Sequence, residues 1–264
     1  ADQGLAVFRR DAGRLWVGVD FGAATGGGHG HPDRLNLLLA DGAVRWLDDM
    51  GTGSYTERAL HWYRSTLAHQ APLADGRSQP RVPGRLLAHD ERADLGWVDA
   101  EAELGPGVRA RRAVVAAADY VVDVLTWAAD RVVTLDLPMH VDAELTPRPA
   151  WQPAAVGGAG GLEDGFDFLR DAEQAEVAAG AVTRLRAAPP DALNAPSASN
   201  SPNPPNPPNA PDPPPPPSAP VASNAADAPS PAGAPPQLDA WVRAGGGAAW
   251  FRAVAPGPPG AGER

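Results

Sequence analysis

Residues 107–127 read Gly-Val-Arg-Ala-Arg-Arg-Ala-Val-Val-Ala-Ala-Ala-Asp-Tyr-Val-Val-Asp-Val-Leu-Thr-Trp. The alanine-rich run at 113–118 invites a helix, but the Val114-Val115 pair and the strand-like segments on either side favour extended chain. Around this stretch, residues 81–88, 94–103, 107–116, 119–127, 130–137 and 139–145 each carry Val, Leu or Trp between turn residues. Upstream, residues 4–9 and 14–21 are apolar-rich with partial alternation and are separated by Asp11-Ala12-Gly13, a hairpin pattern. Residues 34–39 and 43–48 flank the tight-turn pair Asp41-Gly42. Many short strands with regular turns predict an all-β fold, an antiparallel β-sandwich with a large two-layer sheet. There is no strand–helix–strand alternation, which excludes a dinucleotide-binding fold, and Gly26-Gly27-Gly28 lacks the spacing and following helix of a phosphate cradle. Residues 57–65 suit a short helix or an irregular crossing, and residues 173–188 suit either a short helix or a strand pair.

Composition bounds the rest. The chain has 264 residues, with 29 Gly and 31 Pro. From about Ala188 to Pro236 the sequence becomes Pro-Asn-Pro-Pro and poly-Pro, which is extended or disordered chain and serves as a spacer or a tolerated loop insertion. The expected organisation is a β-sandwich over 1–188, a disordered Pro-rich insertion over 189–236, and returning strands with a frayed tail over 237–264. In the last part Trp241, Trp250 and Phe251 are expected core anchors. The start at Ala1, already strand-like, suggests a piece cut from a longer protein. Cysteine is absent, which excludes disulfides, thiolate ligands and a cysteine nucleophile. All 22 basic residues are Arg and the net charge is −10, so nucleic-acid or anionic-membrane binding is not expected. No apolar run is long enough to span a bilayer.

Chemistry concentrates between residues 28 and 79. Gly28-His29-Gly30-His31-Pro32-Asp33 places two histidines two apart, hence on one face of an extended chain. His31 precedes Pro32 and is biased to that conformation. Asp49 and His69 follow within about forty residues, completing an imidazole–carboxylate–imidazole inventory suited to a metal. Between His29 and Arg85 seven arginines face six acids, so this segment escapes the negative charge carried elsewhere. Most of these arginines are expected to solvate strand faces.

Four pieces in order carry a resemblance: Gly-His-Gly-His-Pro-Asp-Arg-Leu-Asn at 28–36, Trp-Leu-Asp-Asp-Met-Gly-Thr-Gly-Ser-Tyr at 46–55, Trp-Tyr-Arg-Ser-Thr-Leu-Ala-His at 62–69, and Asp-Gly-Arg-Ser-Gln at 75–79. Residues 16–79 resemble the C-terminal sandwich domain of heparinase II/III-like polysaccharide lyases, the group that includes oligoalginate lyases. Over 80–190 the likeness is loose, carried by Asp123-Val124 and Met139-His140-Val141-Asp142. The resemblance implies a Zn2+ site formed by His31, Asp49 and His69, with Asp48 as the competing carboxylate. It implies that His29 faces the substrate cleft and that Tyr55 transfers protons there, with Arg64 and Arg34 binding substrate. It further implies an anionic, uronic-acid-containing polysaccharide or oligosaccharide as substrate, β-elimination as the reaction, and a periplasmic or secreted location. Such lyases have an N-terminal α/α toroid that supplies the other cleft wall. Nothing in this chain reads as paired amphipathic helices, so it is expected to bind zinc yet to show little or no lyase activity alone.

Two other readings stand beside this one. A cupin also uses His-x-His on strands, but it places a Glu a few residues later, where this chain has Asp33 to Leu37 and no Glu. A non-catalytic sandwich, structural or carbohydrate-binding, would use zinc only to tie loops together. His61 is expected at the surface, His89 and His140 in structural roles, and the Trp residues in the core, with Trp62 the one best placed to touch sugar.

Overall fold

Two tight turns and one longer connection build the first sheet. β1 (Leu5–Arg10) and β2 (Leu15–Asp20) pair antiparallel across the Asp11–Gly13 turn, in which Asp11, Ala12 and Gly13 all take positive φ. β3 (Asn36–Asp41) adds to β2, and β4 (Val44–Leu47) adds to β3 through the Asp41-Gly42 turn. A single helical turn (Leu60–Tyr63) and the short strand β5 (Leu73–Ala74) follow. The second sheet is β6 (Arg85–Glu91), β7 (Leu95–Gly105), β8 (Val108–Ala117) and β9 (Val121–Ala129), each antiparallel to the next. The alanine-rich run therefore lies in β8, where extended chain lets every second small residue face inward. The computed structural model describes residues 4–22, 30–141, 143–155, 161–187, 238–243 and 248–259. His29 and the expected disordered insertion at 189–236 lie outside these residues.

Period-two alternation makes the core. Val17, Val19, Leu37 and Leu39 of the first sheet are buried in one cluster with Val98, Ala100, Val114 and Ala116 of the second. Each fully buried Val or Leu contributes about 1.5–3 kcal/mol relative to exposure. This is an all-β, antiparallel sandwich. A satellite cluster of Trp62, Tyr63, Leu67, Leu73 and Phe166 packs beneath the loops that carry the histidines.

The chain then forms β10 (Leu135–Asp136, paired with β5), β11 (Ala143–Thr146), β12 (Gln152–Pro153), β13 (Arg170–Val177) and β14 (Val182–Ala187). β15 (Leu238–Arg243) pairs with β14, and β16 (Ala248–Val254) pairs with β13. Ala187 stands directly opposite Leu238. The Pro-rich block is thus the connection between two neighbouring antiparallel strands. Leu185 and Ala187 reach back into the main core.

Several local expectations are corrected. The open choice at 173–188 resolves, as far as Ala187, to the strand pair: β13 and β14 are parted by a turn, with Gly180 at φ +74° and Ala181 N–H donating to the Ala178 carbonyl. Of 130–137 only Leu135–Asp136 is strand. The Thr134 backbone is instead bound by Asp75, whose N–H and carboxylate take both of its groups, and Val132 points into solvent. The expected strand at 81–88 starts at Arg85 because Pro80 and Pro83 have no N–H to donate. Phe251 is 49% exposed on edge strand β16 and is no core anchor. Trp250 is half-buried, its Nε1–H donating to Thr183 Oγ1 at 3.3 Å. The Trp241 side chain lies outside the described residues.

Candidate metal centre

Residues 31–35, which lead into β3, are held by their neighbours. Pro32 keeps His31 extended, and the Pro32 carbonyl accepts a hydrogen bond from the Thr66 hydroxyl. The buried Gln79 amide spans the backbone of Arg34, accepting from its N–H at 2.8 Å and donating to its carbonyl at 2.9 Å. Leu35 takes φ +65°, uncommon for a bulky residue, and its N–H donates to the Asp20 carbonyl. This geometry turns His31 and Asp33 toward the segment that carries His69.

His69 follows a 3-10 turn at Thr66–Ala68 and is fully buried. Its Nε2 lies 3.2 Å from the Tyr63 carbonyl. A carbonyl only accepts, so Nε2 carries a proton and Nδ1 is the nitrogen presented to the acids. Asp49 Oδ2 stands 3.1 Å from Nδ1 and Asp33 Oδ2 stands 4.0 Å away. The His31 and His69 ring centroids are 5.2 Å apart, and His31 Nε2 sits 3.1 Å from Thr52 Oγ1. One ligand atom each from His31, Asp33 and His69 falls within a mutual 4.8 Å.

Burial pushes His69 downward, but hydrogen bonding and charge attraction from Asp49, with Asp33 behind, outweigh it and hold the imidazole above its ordinary 6.5. Burial likewise opposes ionisation of Asp49, and His69 overrides it, so that carboxyl lies below its usual range. His31 is lowered, first by burial and then by the charge of His69. These directions agree: His69 favours its charged form, Asp49 its carboxylate, and His31 its neutral imidazole.

The donor set fits zinc. Tetrahedral zinc takes imidazole nitrogen and carboxylate oxygen at about 2.0–2.2 Å, which spaces neighbouring ligand atoms by roughly 3.3 Å. The Nδ1–Oδ2 separation of His69 and Asp49 already has that spacing. Hydrogen bonds from behind orient the carboxylates: Gly51 N–H donates to Asp49 Oδ1, Asn36 Nδ2 to Asp49 Oδ2, and Arg34 Nη2 to Asp33 Oδ1.

Among the residues expected from sequence, Asp49 meets His69 at 3.1 Å and the His31 ring lies against that of His69, but the carboxylate grouped with both histidines is that of Asp33. Asp48 turns away, its carboxylate 3.1 Å from Arg45. Arg34 is 3% exposed, with its guanidinium on the Gly22 and His31 carbonyls and on Asp33. It supports the loop, and a sugar would have to break those bonds to reach it. Arg64 is half-buried; its charge bears on His31 and on Arg81, and Arg81 in turn donates to the Gly30 carbonyl. Tyr55 is 53% exposed on the loop after β4. Trp62 is fully buried in the satellite cluster, so the expected sugar contact there is corrected: its ring packs edge-on against His140. His140 Nε2 donates to the Leu67 carbonyl at 2.9 Å, a structural role. The residue that sequence reading passed over is Asp33. It lies two positions beyond His31, and on extended chain that spacing puts both side chains on one face.

The sequence profile described as "Heparinase II/III-like, C-terminal" matches residues 1–163. The structure is similar to a heparan sulfate lyase, HepC, from Pedobacter heparinus, with TM-score 0.52 at 14% identity over 70% of this chain and 29% of that one. A mutant of the same lyase gives TM-score 0.50 at 14% identity, over 71% of this chain and 28% of that one. At that identity the likeness shows the fold, and this chain spans less than a third of either lyase. A comparison with curated proteins finds no match. With a profile match over more than half its length, the chain belongs to the heparinase II/III-like family of polysaccharide lyases, in the part that forms their C-terminal domain.

Proposed function

We propose that this chain is the β-sandwich part of a lyase that cleaves uronic-acid-containing polysaccharide by β-elimination, contributing a zinc site and one wall of the cleft. The observation that carries the reading is His69: its Nε2 is spent on the Tyr63 carbonyl while Nδ1 faces Asp49, Asp33 and His31. His31, His69 and Asp49 hold the zinc, with Asp33 in reach as a further oxygen ligand. Zinc bound there supplies fixed positive charge beside an anionic sugar and ties the two histidine-bearing loops together.

β-Elimination removes the proton on the carbon next to the sugar carboxylate, breaks the adjacent carbon–oxygen bond, forms a carbon–carbon double bond and protonates the departing oxygen. The carboxylate must be neutralised for that proton to leave. Arg64, whose charge bears on His31, and Arg81, bonded to the neighbouring Gly30 carbonyl, suit this role. Tyr55 is exposed and can approach a substrate, and positive surroundings favour a phenol acting as a base. His29 is the second proposed substrate-facing group, on a stretch outside the described residues. The N-terminal toroid of a longer protein supplies the opposite wall, and the family likeness supports a periplasmic or secreted location. Among the described residues no helix is long and apolar enough to cross a membrane.

Zinc titration of the chain tests the reading: one ion per chain, abolished in His31→Ala and His69→Ala, with no unsaturated product formed from uronic polymers by the chain alone. No zinc binding, or binding that survives His69→Ala, would refute the metal site. Full turnover by this chain would refute the missing-wall reading.

A further inference from the structure

The inward-facing positions of β8 run Val108, Ala110, Arg112, Val114 and Ala116, and the arginine in this series is 2% exposed. A guanidinium in a sandwich core is costly unless every N–H is matched. Here four of the five N–H bonds have a defined partner. Nε and Nη2 form a bidentate pair with Asp123 of β9 at 2.8 and 2.6 Å. Nη1 donates to two carbonyls from elsewhere in the chain, Leu35 at 2.7 Å and Gln70 at 2.6 Å. Gln70 directly follows His69. Leu35 is the positive-φ residue that ends the loop bearing His31 and Asp33.

We infer that Arg112, held by Asp123, is a positioning residue that sets the separation of the two ligand-bearing segments. It touches neither a proposed ligand nor substrate. Its single Nη1 bridges the backbone immediately beyond each histidine segment, and its charge stabilises the left-handed turn at Leu35. The second sheet thereby fixes a site whose ligands all come from the loops around the first. Residues that orient ligands typically alter metal affinity by about 10–100-fold when replaced.

The inference rests on the zinc reading for one of its two readouts only. In the full 264-residue chain, Arg112→Met and Asp123→Asn are compared with the parent, and Arg112→Lys serves as the conservative variant. Zinc affinity, measured by chelator competition well below the unfolding temperature, falls by about 10-fold or more in Arg112→Met and by less in Arg112→Lys. Amide hydrogen exchange of the metal-free chain speeds up at residues 34–37 and 69–71 while β1, β2 and β6 keep their protection. If Arg112→Met fails to fold, Asp123→Asn carries the same test. A parent chain that binds no zinc defeats the metal reading, and exchange alone then decides the present one. Unchanged exchange in both segments, or a lowered melting temperature with parental zinc affinity, overturns the positioning role.

Discussion

At the proposed zinc site a metal ion and a proton would compete for one nitrogen, Nδ1 of His69, which makes binding there depend on pH. Because Nε2 donates to Tyr63, metal-free His69 can donate to Asp49 only when Nδ1 is protonated too. Despite burial, Asp49 and Asp33 hold that charged form above the ordinary 6.5. A raised imidazole stabilises the fold fully below its unfolded value, and that contribution fades as pH rises through the raised value. Zinc binding runs the opposite way. Between about pH 6.5 and the raised value, each zinc expels one proton from His69, so log K rises by about 1 per pH unit, ~1.4 kcal/mol. Above that window the slope is zero. His31, lowered by burial and by His69, is already neutral there and adds no proton. Chelator competition across the window measures the slope, and calorimetry in buffers of different ionisation enthalpy counts the protons. Asp49→Asn removes the partner that raises His69, so the slope flattens and the affinity falls. A parent chain that releases no proton in this window, or an Asp49→Asn chain with the parental slope, would refute the tautomer assigned to His69.

Replacing the connection between Ala187 and Leu238, about fifty residues, by a four-residue turn leaves the flanking pair in register. Lower loop-closure entropy predicts a gain of about 2 kcal/mol, read from denaturant unfolding, with zinc affinity unchanged; a loss of stability would mean the block makes contacts that matter. Trp62→Ala empties the centre of the satellite cluster and should cost about 3–5 kcal/mol, seen as a lower melting temperature; a small effect would contradict its full burial. Tyr55→Phe, at an exposed position, should leave the melting temperature and zinc affinity as they are, while abolishing unsaturated-product formation in the longer protein. Retained turnover there would remove Tyr55 from the chemistry.

The strands and their turns were legible because period-two apolar patterning and the Asp-Gly and Asp-Ala-Gly reversals are local properties. That information sufficed for an all-β sandwich and for the histidine and carboxylate inventory. Segments 130–137 and 173–188 were not legible, since Asp75 and the Gly180 turn, not propensity, decided how their backbone groups were satisfied. Residue types and motif order alone named His31, Asp49 and His69. Only the folded chain could turn Asp48 out to Arg45, bring Asp33 in, bury Trp62 and spend Arg34 on carbonyls. Those outcomes depend on which groups meet across loops far apart in sequence. Arg112 is the clearest case: alternation along β8 marks it as inward-facing, but its partners at Leu35 and Gln70 exist only once the two sheets close on each other.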